Sequence, residues 1–183
     1  MRILICGYGN VGYHIAQELS ELEYLHDIQV QVYDKYKTDF NDKSVLKLHY
    51  NFVFICVPTD NDNLNFCNVK EIEEIITEIN ADVIVLKSTI PIGFCQQLGI
   101  KNLVYSPEYW GTTIHSNETP NFSILGGDLE YGHKVADLYS KIKDGSYRFI
   151  FTDYQTAEMA KYMENCFIAL KITFCNEFAE VAE

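Results

Sequence analysis

Seven short apolar runs, rich in valine, isoleucine and phenylalanine, alternate along this chain with segments of helical spacing. Because the runs are polar on neither face, they are typical of strands buried on both sides, as in parallel sheets covered by helices. The alternation predicts an α/β fold with a doubly wound, mainly parallel, Rossmann-like sheet. The predicted strands are 2–6, 28–33, 51–57, 83–87, 103–106, 122–125 and 147–151.

Helices are predicted over 13–22, 69–80 and 130–142, and a last one begins at Thr152. Asn68 and Glu71 fit a capping box before the second helix, and Thr152 and Gln155 fit one before the last. The last helix would continue to Glu183, a length of about 45 Å. Its apolar stripe comprises residues 160, 163, 167, 170, 174, 178 and 181.

A helix this long and apolar extends beyond one small domain and needs a partner. We therefore divide the chain into a Rossmann-like domain over 1–152 and a long connecting helix over 153–183. We expect this helix to join two copies of the chain in a homodimer.

Composition excludes several classes of protein. A formal net charge of −12 argues against a nucleic-acid partner, which requires a basic surface. No apolar run approaches the roughly 20 residues that span a bilayer, and no targeting segment precedes the first strand, so we expect a cytoplasmic protein. The six cysteines form no C-x-x-C pair, which predicts buried free thiols and no metal site.

A glycine-rich turn, Gly7-Tyr8-Gly9-Asn10-Val11-Gly12, follows the first predicted strand and precedes a helix. In this pattern Gly7 allows the tight turn, Gly9 lets the backbone approach a pyrophosphate, and Gly12 allows close packing of helix and strand. The turn therefore predicts a dinucleotide site that includes Asn10 and Val11.

Asp34 ends the second strand about 20 residues after the turn, the position from which an acid binds the adenosine ribose. Because a carboxylate repels the 2′-phosphate of NADP, the predicted cofactor is NAD. Lys35 and Lys37 lie beside Asp34 and leave NADP open as an alternative.

Three more loops follow predicted strands, at the positions where open α/β sheets bind ligands. They are Val57-Pro58-Thr59, Lys87-Ser88-Thr89 and Ser106-Pro107-Glu108. Each alone could be a simple turn, because proline, serine and threonine are common turn residues. Together they add Val57, Pro58, Thr59, Ser88 and Thr89 to the predicted cofactor site.

With these loops, Leu125-Gly126-Gly127 and the helix that carries Lys161 and Asn165, the chain resembles the N-terminal half of the UDP-glucose/GDP-mannose dehydrogenase family. Enzymes of this family oxidise the C6 alcohol of a sugar nucleotide to a carboxylate with two NAD⁺, through a thioester on a cysteine. The resemblance implies that Thr59 holds a catalytic water and that Glu108 is the general base for thioester hydrolysis.

By the same resemblance, Lys161 would stabilise a developing oxyanion and Asn165 would orient the sugar or water. Their spacing of four residues puts both side chains on one face of a helix. The alternative is that Lys161 pairs with Glu158 or Glu164 as ordinary surface charge.

Three departures from the family pattern qualify the resemblance. The family's nucleophilic cysteine follows in a later glycine-rich loop, and none of the cysteines here has that context, although Cys95 and Cys166 lie near the expected site. The segment 35–50 is short, which predicts a smaller sheet and a missing wall of the adenosine site. Ser106-Pro107-Glu108 is followed by Tyr109-Trp110-Gly111-Thr112, which supplies no cation for the substrate.

Two hypotheses remain open. In the first, the chain is an enzyme component, inactive alone, that acts on a UDP- or GDP-sugar with a separate chain carrying the cysteine half. In the second it is a non-catalytic NAD-binding module. A third, a regulatory nucleotide-binding domain of the potassium-channel type, explains the glycine turn and Asp34 but not Glu108, Lys161 or Asn165.

Overall fold

A computed structural model of the protein describes residues 1–21, 28–61, 67–109 and 121–182. These residues form one seven-stranded sheet with helices on both faces. The strands are β1 (Arg2–Cys6), β2 (Gln29–Tyr33), β3 (His49–Ile55), β4 (Asn80–Leu86), β5 (Leu103–Tyr105), β6 (Phe122–Gly127) and β7 (Arg148–Thr152). The α-helices are α1 (Asn10–Ser20), α2 (Lys70–Glu78), α3 (Phe94–Leu98), α4 (Leu129–Tyr139) and α5 (Tyr154–Ala182).

The strand order is β2-β1-β3-β4-β5-β6-β7, and every neighbouring pair is parallel except β5 with β6. The predicted doubly wound, mainly parallel sheet is therefore confirmed, with all seven strands. The chain places β2 on one side of β1 and β3 on the other. The order thus reverses at β1, and ligands of open α/β sheets bind at such a point.

Both faces of the sheet are buried, as the apolar runs indicate. Leu4 of β1 and Val53 of β3 pack in the core beneath α2 and α3, and their neighbours Ile5 and Phe54 pack beneath α1 and α4. Alternate residues of a strand point to opposite faces, so the central strands β1, β3, β4 and β5 carry runs of consecutive apolar residues.

The short connection between β2 and β3 folds back onto the glycine turn. It contains two 3₁₀ helices, Thr38–Phe40 and Lys43–Lys47, and within the described residues β2 pairs only with β1. The Phe40 ring packs against the Tyr8 ring with 4.8 Å between centroids. The described residues between β2 and β3 form no further strand, so β2 lies at the edge of the sheet.

Two helix starts differ from the predicted ones by more than one residue. Helix α1 begins at Asn10 instead of residue 13, because extended Gly9 is its N-cap and the Gly9 carbonyl accepts the Tyr13 N–H at 2.9 Å. Gly12 is therefore inside the helix.

Helix α5 begins after Asp153, and Thr152 instead ends β7, where it pairs with Gly126. The Asp153 carboxylate caps the helix by accepting the Thr156 N–H at 2.9 Å. Similarly, Asn80 does not close a helix but begins β4.

The first turns of α5 pack against β5 and β6, with Ala157, Glu158 and Lys161 buried. A Cβ on Gly126 would lie 2.6 Å from the Ala157 Cβ, so glycine is needed for this close approach. From Asn165 to Ala182 every residue is exposed. The helix has 29 residues, a length of about 44 Å.

The exposed part of α5 carries the predicted apolar stripe, including Phe167, Leu170, Phe174 and Phe178. It also carries Cys166 and Cys175, so the expectation of buried thiols is wrong for these two, although all six cysteines are free. None of the described helices combines the length and hydropathy needed to cross a bilayer.

Candidate functional site

A cleft of about 450 Å³ opens at the carboxyl ends of the central parallel strands, at the point where the strand order reverses. It is lined by residues 9–11, 56–60 and 87–89, together with Glu108, Lys161 and Asn165. The structure therefore brings all four predicted catalytic side chains to one cleft. Of the predicted cofactor residues, Gly7, Gly12 and Asp34 do not line it but lie in or beside the glycine turn.

Two of the glycines are required by packing. Gly7 has a φ of +90°, and a Cβ there would lie 2.8 Å from the backbone carbonyl of Cys56. A Cβ on Gly12 would lie 1.9 Å from the Gly7 carbonyl oxygen. A Cβ on Gly9 would meet no atom within 4 Å, so the space in front of the α1 N-terminus is open. Helix N-termini with open space of this kind bind phosphates.

Asp34 holds the glycine turn through its carboxylate. Its Oδ2 accepts the Tyr8 N–H at 2.7 Å, and its Oδ1 accepts the Tyr36 N–H at 2.9 Å. The two lysines beside it are engaged elsewhere: Lys35 pairs with Glu74 at 3.2 Å, and Lys37 donates to the Tyr8 carbonyl at 2.5 Å.

The loops after β3 and β4 are joined by two short hydrogen bonds. The Thr59 hydroxyl donates to the Thr89 carbonyl at 2.6 Å, and the Ser88 hydroxyl donates to the Val57 carbonyl at 2.6 Å. Because the Thr59 proton is committed to Thr89, this hydroxyl can face a ligand only as an acceptor.

A buried ion pair that the sequence did not predict connects the β4 and β5 loops. The Lys87 side chain is 3% exposed, and its Nζ lies 3.3 Å from Oε2 of Glu108, which is 24% exposed. Burial alone would lower the pKa of Lys87, but Tyr139 and Glu108 outweigh it and raise this pKa, so Lys87 remains an ammonium ion. The sequence feature that could have indicated this ion pair is Lys87 itself, a lysine directly after an otherwise apolar strand.

Lys161 is buried in the cleft, with its side chain 11% exposed. Its Nζ lies 3.3 Å from Oε2 of Glu164 and 4.7 Å from the centroid of the Tyr109 ring. The alternative interpretation, in which Lys161 pairs with Glu164, is therefore correct about the pairing. Because the Lys161 side chain is buried, however, this pair is not ordinary surface charge. Asn165, one turn further on, is exposed and lines the same cleft.

Glu158 does not pair with Lys161. Its side chain is fully buried and accepts the Gly93 N–H at 2.5 Å and the Cys95 N–H at 2.9 Å. This carboxylate instead fixes the start of α3 against α5. Its position on the buried face of a helix gave no sequence signal for this role.

No cysteine of the described chain offers a thiolate to the cleft. Cys56 lines it, but burial raises the pKa of its thiol to about 12, an effect that Lys87 opposes and Glu108 increases. Burial, followed by Glu158, raises the pKa of Cys95. Cys95 and Cys166 do not line the cleft. The described residues also contain no cluster of three or more His, Cys, Asp or Glu suited to a metal ion.

Comparison with known families matches two parts of the chain. Residues 155–183 match the UDP-glucose/GDP-mannose dehydrogenase family, central domain, and residues 3–90 match the TrkA-N domain. The chain is 28% identical over 215 aligned residues to a UDP-glucose 6-dehydrogenase of Campylobacter jejuni. The alignment covers 97% of this chain and 55% of that protein. The chain thus spans about half the length of this relative.

Solved structures share the fold. The GDP-mannose dehydrogenase of Pseudomonas aeruginosa, in a ternary complex, superposes with a TM-score of 0.77 at 22% identity, over 97% of this chain and 52% of that one. The UDP-glucose dehydrogenase of Pyrobaculum islandicum superposes with a TM-score of 0.72 at 19% identity, over 96% of this chain and 51% of that one.

The sequence predicts that the segment after Glu108 supplies no cation for the substrate. This segment includes residues 110–112, which lie outside the described residues.

The protonated state of Cys56 predicts its resistance to alkylation. With a pKa of about 12, roughly one Cys56 thiol in 10⁴ is ionised at pH 8. We expect iodoacetamide to leave Cys56 unmodified in the native protein and to modify it fully in urea, as measured by peptide mass spectrometry. Modification of native Cys56 as fast as in urea would contradict this assignment.

Proposed function

Because the chain is a relative of the UDP-glucose/GDP-mannose dehydrogenase family, matching the first half of such an enzyme, we propose that it is the NAD-binding half of a nucleotide-sugar 6-dehydrogenase. One observation carries this proposal: Thr59, Glu108, Lys161 and Asn165, from two loops and a helix, converge on the cleft beside the glycine turn.

NAD binds with its pyrophosphate at the N-terminus of α1, in the space left open at Gly9. Asp34, at the end of β2, accepts hydrogen bonds from the adenosine ribose. Its negative charge disfavours the 2′-phosphate of NADP, and the nearby Lys35 and Lys37 are already engaged by other groups. The nicotinamide end extends from the turn toward Thr59, Ser88 and Thr89.

The remaining polar side chains supply proton transfer and charge stabilisation. Glu108 is the general base, Lys161 stabilises a developing oxyanion, and Asn165 orients the sugar or water. In this arrangement residues 1–152 bind the cofactor, and 153–183 form the helix that connects them to the rest of the enzyme.

Among the cysteines of the described residues, Cys56 lines the cleft, and its thiol is held protonated. The catalytic thiol therefore comes from further polypeptide. That polypeptide also completes the sugar-nucleotide site. The 183 residues alone bind NAD and do not oxidise the sugar. The same observation favours a second candidate function, a non-catalytic NAD-binding module, which predicts no oxidation even when the missing half is supplied.

Titration calorimetry tests cofactor binding. We expect NAD to bind and NADP to bind at least about tenfold more weakly. Gly9→Val should weaken NAD binding at least about tenfold, because its side chain fills the space that the pyrophosphate requires. Gly145→Val is the matched control, since Gly145 also faces open space but does not line the cleft. Absence of NAD binding, or equal effects of the two substitutions, would refute the cofactor assignment.

Supplying the missing half tests the activity. We expect coexpression with the C-terminal half of the Campylobacter jejuni relative, which carries the part not matched here, to restore NADH formation from a UDP- or GDP-sugar. Lys161→Met should reduce the rate about 10²- to 10⁴-fold, and Lys134→Met, on the exposed surface of α4, should leave it unchanged. If the halves associate tightly and no NADH forms, the non-catalytic module is the better account.

The homodimer through 153–183 is part of the proposal and is supported by the exposed apolar stripe of α5. Light scattering should give about twice the 21.1 kDa of one chain. Phe174→Glu should give the monomer and leave NAD binding intact, because Phe174 lies far along α5 from the cleft. A wild-type monomer at micromolar concentration would refute the dimer.

A further inference from the structure

The direction of the bound dinucleotide follows from the sheet order. The glycine turn ends β1, Asp34 ends the strand on one side of it, and Lys87 and Glu108 follow strands on the other side. If the adenosine ribose binds Asp34 and the pyrophosphate binds the α1 N-terminus, the nicotinamide end must extend toward Lys87 and Glu108. This step rests on the proposed NAD binding.

At that end the cleft is lined by two opposite charges that cancel each other. The Nζ of Lys87 and Oε2 of Glu108 lie 3.3 Å apart, and both residues line the cleft. Among the described residues, Glu108 is the carboxylate within ion-pair distance of Lys87, whose other polar contacts are the Ser106 hydroxyl at 3.4 Å and the Tyr139 ring.

Behind the pair lies a second cavity of about 40 Å³ that shares Lys87 and Glu108 with the cleft. The acid on its far side, Glu18, is paired with Lys143 at 2.5 Å. It is therefore not available to Lys87, and the charge of Lys87 is balanced by Glu108.

The two redox forms of the cofactor differ in charge at the nicotinamide ring, which is cationic in NAD⁺ and neutral in NADH. A carboxylate near this ring favours NAD⁺, and an ammonium ion disfavours it, by Coulomb interactions that are strong in a partly buried site. We propose that Lys87 is a specificity-determining residue that, by neutralising Glu108, sets the preference of the cleft between oxidised and reduced cofactor.

A double-substitution cycle tests the proposal with binding alone. The quantity measured is the ratio of the dissociation constants for NADH and NAD⁺, from calorimetry on the 183-residue chain. Lys87→Met leaves Glu108 without this cation, so the ratio should shift toward NAD⁺ by about three- to tenfold. Glu108→Gln should shift it toward NADH by a similar factor. The double variant should return to within about twofold of the wild type.

Lys134→Met is the control, because it breaks another lysine–glutamate pair, with Glu130, that lines neither the cleft nor the cavity behind it. It should leave the ratio unchanged. A purely structural role for Lys87 would change both affinities together, and would not reverse sign between the two single variants.

Ratios that stay constant, or that move in the same direction in both single variants, would overturn the proposal. If Lys87→Met does not fold, the Glu108→Gln variant alone tests the proposal, because its ratio of dissociation constants must still shift toward NADH. Failure of the wild type to bind either cofactor would instead refute the proposed function, so the two failures are distinguishable.

Discussion

The close contact between Gly12 and the Gly7 carbonyl is the constraint on which the site depends. Any side chain at position 12 would overlap the turn, because its Cβ would lie 1.9 Å from the Gly7 oxygen. This contact brings the start of α1 directly onto the end of β1, and the reversal of strand order places a cleft in front of it. The positive end of the helix dipole and the free N–H groups of its first turn therefore face the open space at Gly9.

The polar side chains of the cleft are positioned by contacts among the loops themselves. Thr59 and Ser88 join the β3 and β4 loops, and the Lys87–Glu108 pair joins the β4 and β5 loops. Glu158 joins α3 to α5, so that Lys161, on the next turn, reaches the cleft. A buried pair is costly to break because one charge is left without its partner, which makes these loops a mutually dependent unit.

Patterns that are local in sequence predicted most of the fold. All seven strands and the glycine turn follow from apolar runs and glycine spacing, which depend on near neighbours. The predicted start of α5, Thr152, lies two residues before the observed one because Thr152 pairs with Gly126 in the sheet, a contact distant in sequence. The same holds for the site. The candidates from motifs converge, but the Lys87–Glu108 pair and the burial of Glu158 depend on which elements pack together. The exposure of Cys166 and Cys175 was not predicted, because the apolar stripe of α5 indicates an apolar helix face but not whether another surface covers that face.

A crystal structure of the chain grown with NAD⁺ would test the account most directly. It should show the pyrophosphate at the N-terminus of α1 beside Gly9, the adenosine ribose at Asp34, and the nicotinamide ring against Val11 near Lys87 and Glu108. A dinucleotide bound in the opposite direction, with adenine at Lys87 and Glu108, or bound away from the glycine turn, would contradict it.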